Sequence, residues 1–274
     1  MMKLTDKDYQ LYTIEAFASN GLLDGGTTQP LSIRGVNMTT GDRDHNYILK
    51  WRSSTRLSVD NMTNELIGAW IALELDIVCV EPFLINISDQ FVEKVMTDQP
   101  GYKFAQQSIG INFGSKYMEG LFPFINQYNP KNIDQVQQAM MIFVFDMFVD
   151  NGDRGQGKMN LFWRDDRYVV LDHEMAFSFL QLLFGQNPHP WLIEKDVDLY
   201  KKHPLLLFLK NSTPDINACV EKLTLINDHF WNCVDQWLPA ECKSEKIEKI
   251  KSRLNSVIAN RDIFIEQLNK ILAS

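Results

Sequence analysis

What most constrains this 274-residue chain is a change of character near Asp150. The run IDQVQQAMMIFVFDMFV, with Asn132 ahead of it as a helix cap, is apolar enough to demand a largely buried helix. It delivers the chain directly into DNGDRGQGKMNLFWRDDRYVVLDHE, Asp150 to Glu174, which packs acids, an amide and three glycines between apolar runs. Within that stretch NLFW and YVVLD read as short strands joined by the polar turn RDDR. A turn accounts for Asp165 and Asp166. It leaves Asp172, at the end of an apolar strand, as a charge that local structure does not explain.

The first hundred residues read differently. YTIEAFA, LSIRGVN and NYILKWR alternate like strands of an antiparallel meander, and the first connection, NGLLDGGTTQP, is glycine-rich. After Ser58 or Asp60, either of which suits an N-cap, VDNMTNELIGAWIALEL has apolar residues at helical spacing through Leu66, Trp70 and Leu73. VCVEPFLINI then returns to strand character. Downstream of the hairpin, amphipathic segments fill 216–237 and 244–272. The expected fold is α+β and bilobal. A small antiparallel-sheet lobe with one helix covers 1–97, and a mainly helical lobe covers 98–274.

Composition narrows the functional classes. A net charge of -8 argues against direct nucleic-acid binding, which calls for a basic face. The apolar segment MMIFVFDMFV is too short to span a membrane and is interrupted by Asp146, and the N-terminal residues carry no signal-like apolar run. The four cysteines form no CxxC pair, which reads as reduced thiols in the cytoplasm.

The residue types and their order suit phosphoryl transfer from ATP. That chemistry needs cations clamping the phosphates, a lysine on the phosphate chain and a carboxylate near the attacking hydroxyl. Gly25 and Gly26, with Thr27, would let backbone N–H groups approach phosphates, although an ordinary hairpin turn explains the glycines equally well. Lys50 lies in an apolar strand, and Glu65 is placed on the following helix to pair with it. Asp153 follows the buried helix, where a loop carboxylate can take a proton from an acceptor hydroxyl. Asn160 opens one strand of the hairpin and Asp172 ends the other, which brings two oxygen ligands together for Mg²⁺. Arg154 either contacts phosphate or forms an inward ion pair with Asp146 or Asp150. Glu174 is either a further acid near the metal or a helix-start residue. His189, His203 and His229 lack metal-ligand spacing and read as structural.

The segments GGTTQPLSI, YILK, NELIGAWIALELDIVCVEP, GINFGSKY, NGDR, NLFW, LDHEMAF and LNSVIANRDIF together resemble the HipA-like kinases, in particular their compact branch. The resemblance implies a protein-kinase-like fold, distantly similar to phosphoinositide kinases, with ATP and Mg²⁺ in the cleft. It implies that Lys50 pairs the phosphates, that Glu65 is its partner, that Asp153 is the catalytic aspartate and that Asn160 and Asp172 hold the metal. It further implies a Ser or Thr acceptor on a protein substrate, and an antitoxin-type partner as in some family members. The chain departs from the common kinase pattern between Asp153 and Asn160, where six residues stand in place of four, so that Lys158 occupies the strict position. That departure keeps a second class open, a kinase-fold module that holds nucleotide without turnover. A small-molecule kinase would share the same parts. Since a lysine that snorkels toward a cleft contributes little to a core, Lys50→Met is expected to leave the fold nearly unchanged.

Overall fold

The structure is a computed structural model and describes residues 2–23, 29–53, 59–155, 159–181, 187–193 and 200–274. β1 (Thr13–Leu22), β2 (Leu31–Asn37) and β3 (Asn46–Lys50) form the expected antiparallel meander. Apolar residues at alternate positions, among them Ile14, Leu31, Ile33, Tyr47 and Leu49, turn to one side and are buried. Two register shifts, between Ala16 and Ala18 and between Ser19 and Gly21, bend β1. β4 (Pro82–Ile87) pairs parallel with β1, and β5 (Gly110–Lys116) pairs antiparallel with both β3 and β4. The result is a closed barrel in the order β1-β2-β3-β5-β4, with no unpaired edge among these strands.

The division into a sheet-built first part and a mainly helical second part is as expected, and the barrel adds two features to it. One pair, β1 with β4, is parallel, and the unit runs to Lys116, past the boundary placed at residue 97. The sequence of β5, GINFGSK, holds two glycines, an Asn and a Ser, all poor strand formers. Partners on both sides impose the conformation there.

α1 (Val59–Glu74) lies where the periodicity places it; of the two expected caps, Ser58 is outside the described residues and Asp60 falls within the helix. Its side chains from Met62 onward are buried on every face, as an all-round apolar helix requires. They share a core with Phe143, Phe145, Phe148 and Phe177, while Ile33, Leu49, Trp51, Phe83 and Ile85 make a separate core inside the barrel. α2 (Asp89–Phe91), a π-helical turn at Val92–Met96 and α3 (Tyr102–Gln107) close one end of the barrel with Phe91, Met96 and Ala105.

α4 (Ile133–Val149) is capped as expected. The Asn132 side chain accepts the Gln135 N–H at 2.9 Å, and Gln135 Oε1 accepts the Lys131 N–H at 2.8 Å. Every side chain from Ala139 to Val149 is buried. The helix ends at Asp150, whose φ of 54° turns the chain out. β6 (Phe122–Pro123), β7 (Leu161–Arg164) and β8 (Arg167–Val170) then form a small sheet. Asp165 and Asp166 have φ of 48° and 60°, the left-handed pair that a two-residue hairpin needs and that Asp tolerates. The amphipathic C-terminal segments fold as several shorter helices. After α5 (Leu206–Lys210) come α6 (Ile216–Lys222) and α7 (Asp228–Trp237), separated by the Asn227 cap, and then α8 (Glu245–Ala259) and α9 (Arg261–Ala273), which meet at Asn260. No helix among the described residues is long and apolar enough to cross a membrane.

Asn132→Ala removes the α4 cap and should lower stability by about 1 kcal/mol, read as a lower urea midpoint at unchanged slope. An unmoved midpoint would assign the start of α4 to core packing alone.

Candidate active site

Three elements converge on Lys50. β3 is paired with β2 up to Leu49, and Lys50 itself stands opposite Phe113 of β5, which fixes the direction of its side chain. The ammonium contacts Glu65 Oε1 of α1 and lies 2.9 Å from Asp172 Oδ1, just past the end of β8. The second Glu65 oxygen accepts the His173 N–H at 2.9 Å, and Asn64 donates to the Glu174 carbonyl at 2.8 Å. Gly68, one turn further along α1, permits this approach, because a Cβ there would stand 2.6 Å from His173 Cβ. α1 is thus docked on the 172–174 segment by residues 64, 65 and 68.

Electrostatics follow from burial. It opposes the Lys50 charge, yet Asp172 and Glu65 together hold the ammonium's pKa above its ordinary value. Burial raises Glu65, with Lys50 offsetting only part. For Asp172 burial acts upward as well, but the Lys50 ammonium outweighs it and holds the carboxyl below its usual range. Burial, with the Arg154 charge, pushes His173 down to about 3, so its ring is neutral beside Phe145 and Cys79. Glu65, Asp172 and Glu174 each offer a carboxylate oxygen, all within 4.8 Å of one another.

The loop after α4 carries the second group. Asn160 Nδ2 donates to Asp153 Oδ2 at 3.2 Å, so these two expected site residues meet directly. The Asn160 carbonyl accepts the Leu171 N–H at 3.0 Å, which places Asn160 across the hairpin from the residue preceding Asp172. Arg154 points inward. Its Nε donates to Asp146 Oδ2 and its Nη1 to the Asn160 carbonyl at 2.7 Å. Of the two alternatives for Arg154, the inward ion pair is the one observed. The Asp146 carboxylate also accepts from Asn151 Nδ2 and lies 2.9 Å from His203 Nε2. Burial would raise Asp146, but Arg154 and His203 hold it below the ordinary carboxylate range.

Lys50, Glu65 and Asp172 are therefore brought together, as are Asp153 and Asn160. Gly25, Gly26 and Thr27 lie outside the described residues, as does Lys158. The connection that holds the glycines is closed at its base by Leu23 N–H to the Pro30 carbonyl at 2.8 Å. Sequence reasoning missed Asn64, Gly68 and Asn151. Gly68 left a signal, since a glycine inside a helix costs about 1 kcal/mol relative to Ala and marks a close approach.

A lysine strand, a glutamate helix, a loop aspartate and a hairpin ending in an acid follow one another in the order of kinase folds. Residues 24–181 match the family described as HipA-like kinase. The chain belongs to this family. Membership makes it a kinase-like phosphotransferase and implies ATP as donor. No curated protein matches the sequence. Among solved structures, the Helicobacter pylori proinflammatory kinase CtkA is similar in fold, with a TM-score of 0.52 at 13% identity over 96% of this chain and 99% of that one. The Neurospora crassa PAN3 pseudokinase aligns over 88% of this chain and 60% of its own, at 13% identity and a TM-score of 0.32.

Lys50→Met leaves the buried Glu65 carboxylate and the half-buried Asp172 carboxylate without their cation, so the expected near-neutrality of this change is revised. We expect a loss on the order of 3 kcal/mol in urea unfolding. The double variant with Glu65→Gln should lose less than the two single losses combined, because both act through one contact. Additive losses would mean that the two side chains do not share an ion pair in solution.

Proposed function

We propose that this HipA-like kinase transfers the γ-phosphate of ATP, with Mg²⁺, to a Ser or Thr hydroxyl of a protein. The observation that carries this reading is the Lys50 ammonium set between Glu65 and Asp172 beside the paired Asp153 and Asn160. In this arrangement Lys50 holds the phosphate chain and Glu65 fixes its direction. Asp153 orients the acceptor hydroxyl and accepts its proton. Asp172 and Asn160 are the residues that would hold Mg²⁺, and the oxygen-rich set around Asp172 suits a hard cation. Bound there, the ion neutralises charge on the phosphates. The four cysteines are free, three of them buried, in keeping with a reducing cytoplasm.

A second reading, nucleotide holding without turnover, draws on one observation. The Lys50 ammonium already engages Asp172 Oδ1 at 2.9 Å, so a cation at Asp172 has to share that oxygen or displace the lysine.

Asp153→Asn should keep ATP binding and lower phosphate transfer by roughly a hundredfold or more. Turnover equal to the parent's would remove Asp153 from this role. ATP should raise the melting temperature far more with Mg²⁺ than with chelator, since a ligand at a hundred times its Kd adds about 2.7 kcal/mol. Asp172→Ala should abolish the Mg²⁺-dependent part and Asn160→Ala reduce it. If neither changes it, the metal is held elsewhere.

A further inference from the structure

The site leaves one buried cluster unused. Asp146, fully buried near the C-terminal end of α4, is an anion at the end of a helix where the backbone dipole disfavours it. Three donors compensate: Arg154, Asn151 and His203. Two of them belong to the loop that carries Asp153. The third comes from far along the chain, on a segment that enters the core through Leu205, Leu206 and Leu209.

His203 is set up as a donor. Its Nδ1 accepts the Leu205 N–H at 3.3 Å, which leaves the ring proton on Nε2, facing Asp146 Oδ2 at 2.9 Å. Burial keeps the ring's pKa below its ordinary value, and Phe143 stands edge-on to it at 4.9 Å. The neighbouring Lys202 carbonyl backs the loop so closely that a Cβ on Gly155 would come within 2.8 Å of it. Arg154 converts this support into geometry. Anchored on Asp146, it reaches the Asn160 carbonyl and so spans the lengthened loop from Asp153 to Asn160. Without such a strut, six intervening residues have more freedom than four.

We propose that His203 is a positioning residue for phosphoryl transfer, holding Asp146 so that Arg154 keeps Asp153 and Asn160 in register, and thereby coupling the 200–205 segment to the reaction centre. The proposal rests on the kinase reading of Asp153.

The test is phosphate release from Mg-ATP, with water as acceptor, alongside hydrogen exchange of residues 151–160. His203→Phe keeps the ring packing and removes the donor. Its kcat should fall roughly tenfold while the KM for ATP stays within about twofold, the pattern of lost alignment and intact binding. His203→Gln, whose amide can still donate to Asp146, should restore most of the kcat. Parental kcat in His203→Phe, or an equal fall in His203→Gln, overturns the proposal. If His203→Phe does not fold, Gly155→Ala presses on the Lys202 carbonyl next to His203 and so displaces the loop from the 200–205 segment; it should give the same kinetic pattern, and unchanged kcat there counts against the proposal. A parent that releases no phosphate to water gives no kinetic readout, and exchange then decides this inference. Faster exchange of 151–160 in His203→Phe than in the parent and His203→Gln supports it, and equal protection overturns it.

Discussion

The Glu65 side chain is 1% exposed, and an unpaired carboxylate at such a position would cost several kcal/mol. Both of its oxygens are occupied, one by the Lys50 ammonium and one by the His173 backbone N–H. These two contacts join three parts of the chain: the barrel through β3, the central helix α1, and the segment that follows β8. Because the bond to the 172–174 segment is made by main chain, the side chain at position 173 is free to serve packing. It does so against Gly68, Phe145 and Cys79. The chemistry of the cleft and the docking of α1 are therefore one arrangement, and neither Lys50 nor Glu65 can be changed without affecting both.

The barrel supplies the rigidity this arrangement needs. β3 is hydrogen-bonded to β2 on one side and β5 on the other, so the Lys50 backbone cannot slip in register without breaking two ladders. Opposite it on β5, Phe113 presents its ring 5.8 Å from the ammonium. The strand that the sequence hid, β5, is thus one of the two that hold the expected lysine. Its glycines and polar residues conceal it, because a strand paired on both edges needs less intrinsic preference than an edge strand does.

What was legible followed from strong local patterns. β2 and α4 fall where alternation and helical period put them, and the Asn132 cap is as expected. The pairing of Lys50 with Glu65 was read from a lysine on an apolar strand and a glutamate on the apolar helix after it, and Asp172 from a charge that no turn explained. The illegible parts are tertiary. His203 lies 57 residues from Asp146 and has no metal spacing, so nothing local marks it. The break between α8 and α9 at Asn260 lies inside a continuous amphipathic pattern that reads as one helix. Periodicity reveals neither the barrel closure by a parallel β1–β4 pair nor the two register shifts between β1 and β2.

Two buried anions, Glu65 and Asp146, flank the proposed reaction centre and are neutralised differently. Glu65 relies on one lysine and one backbone N–H, a balance that a bound cation or phosphate can perturb, because the same lysine also serves Asp172. Asp146 relies on an arginine that stays charged at any working pH, together with neutral donors from Asn151 and His203. It lies inside the helical core, at 0% exposure. The first site thus shares its cation with a second carboxylate, whereas the second has three donors of its own. That division suits a cleft in which the nucleotide side must respond to its ligand while the loop carrying Asp153 and Asn160 stays in place.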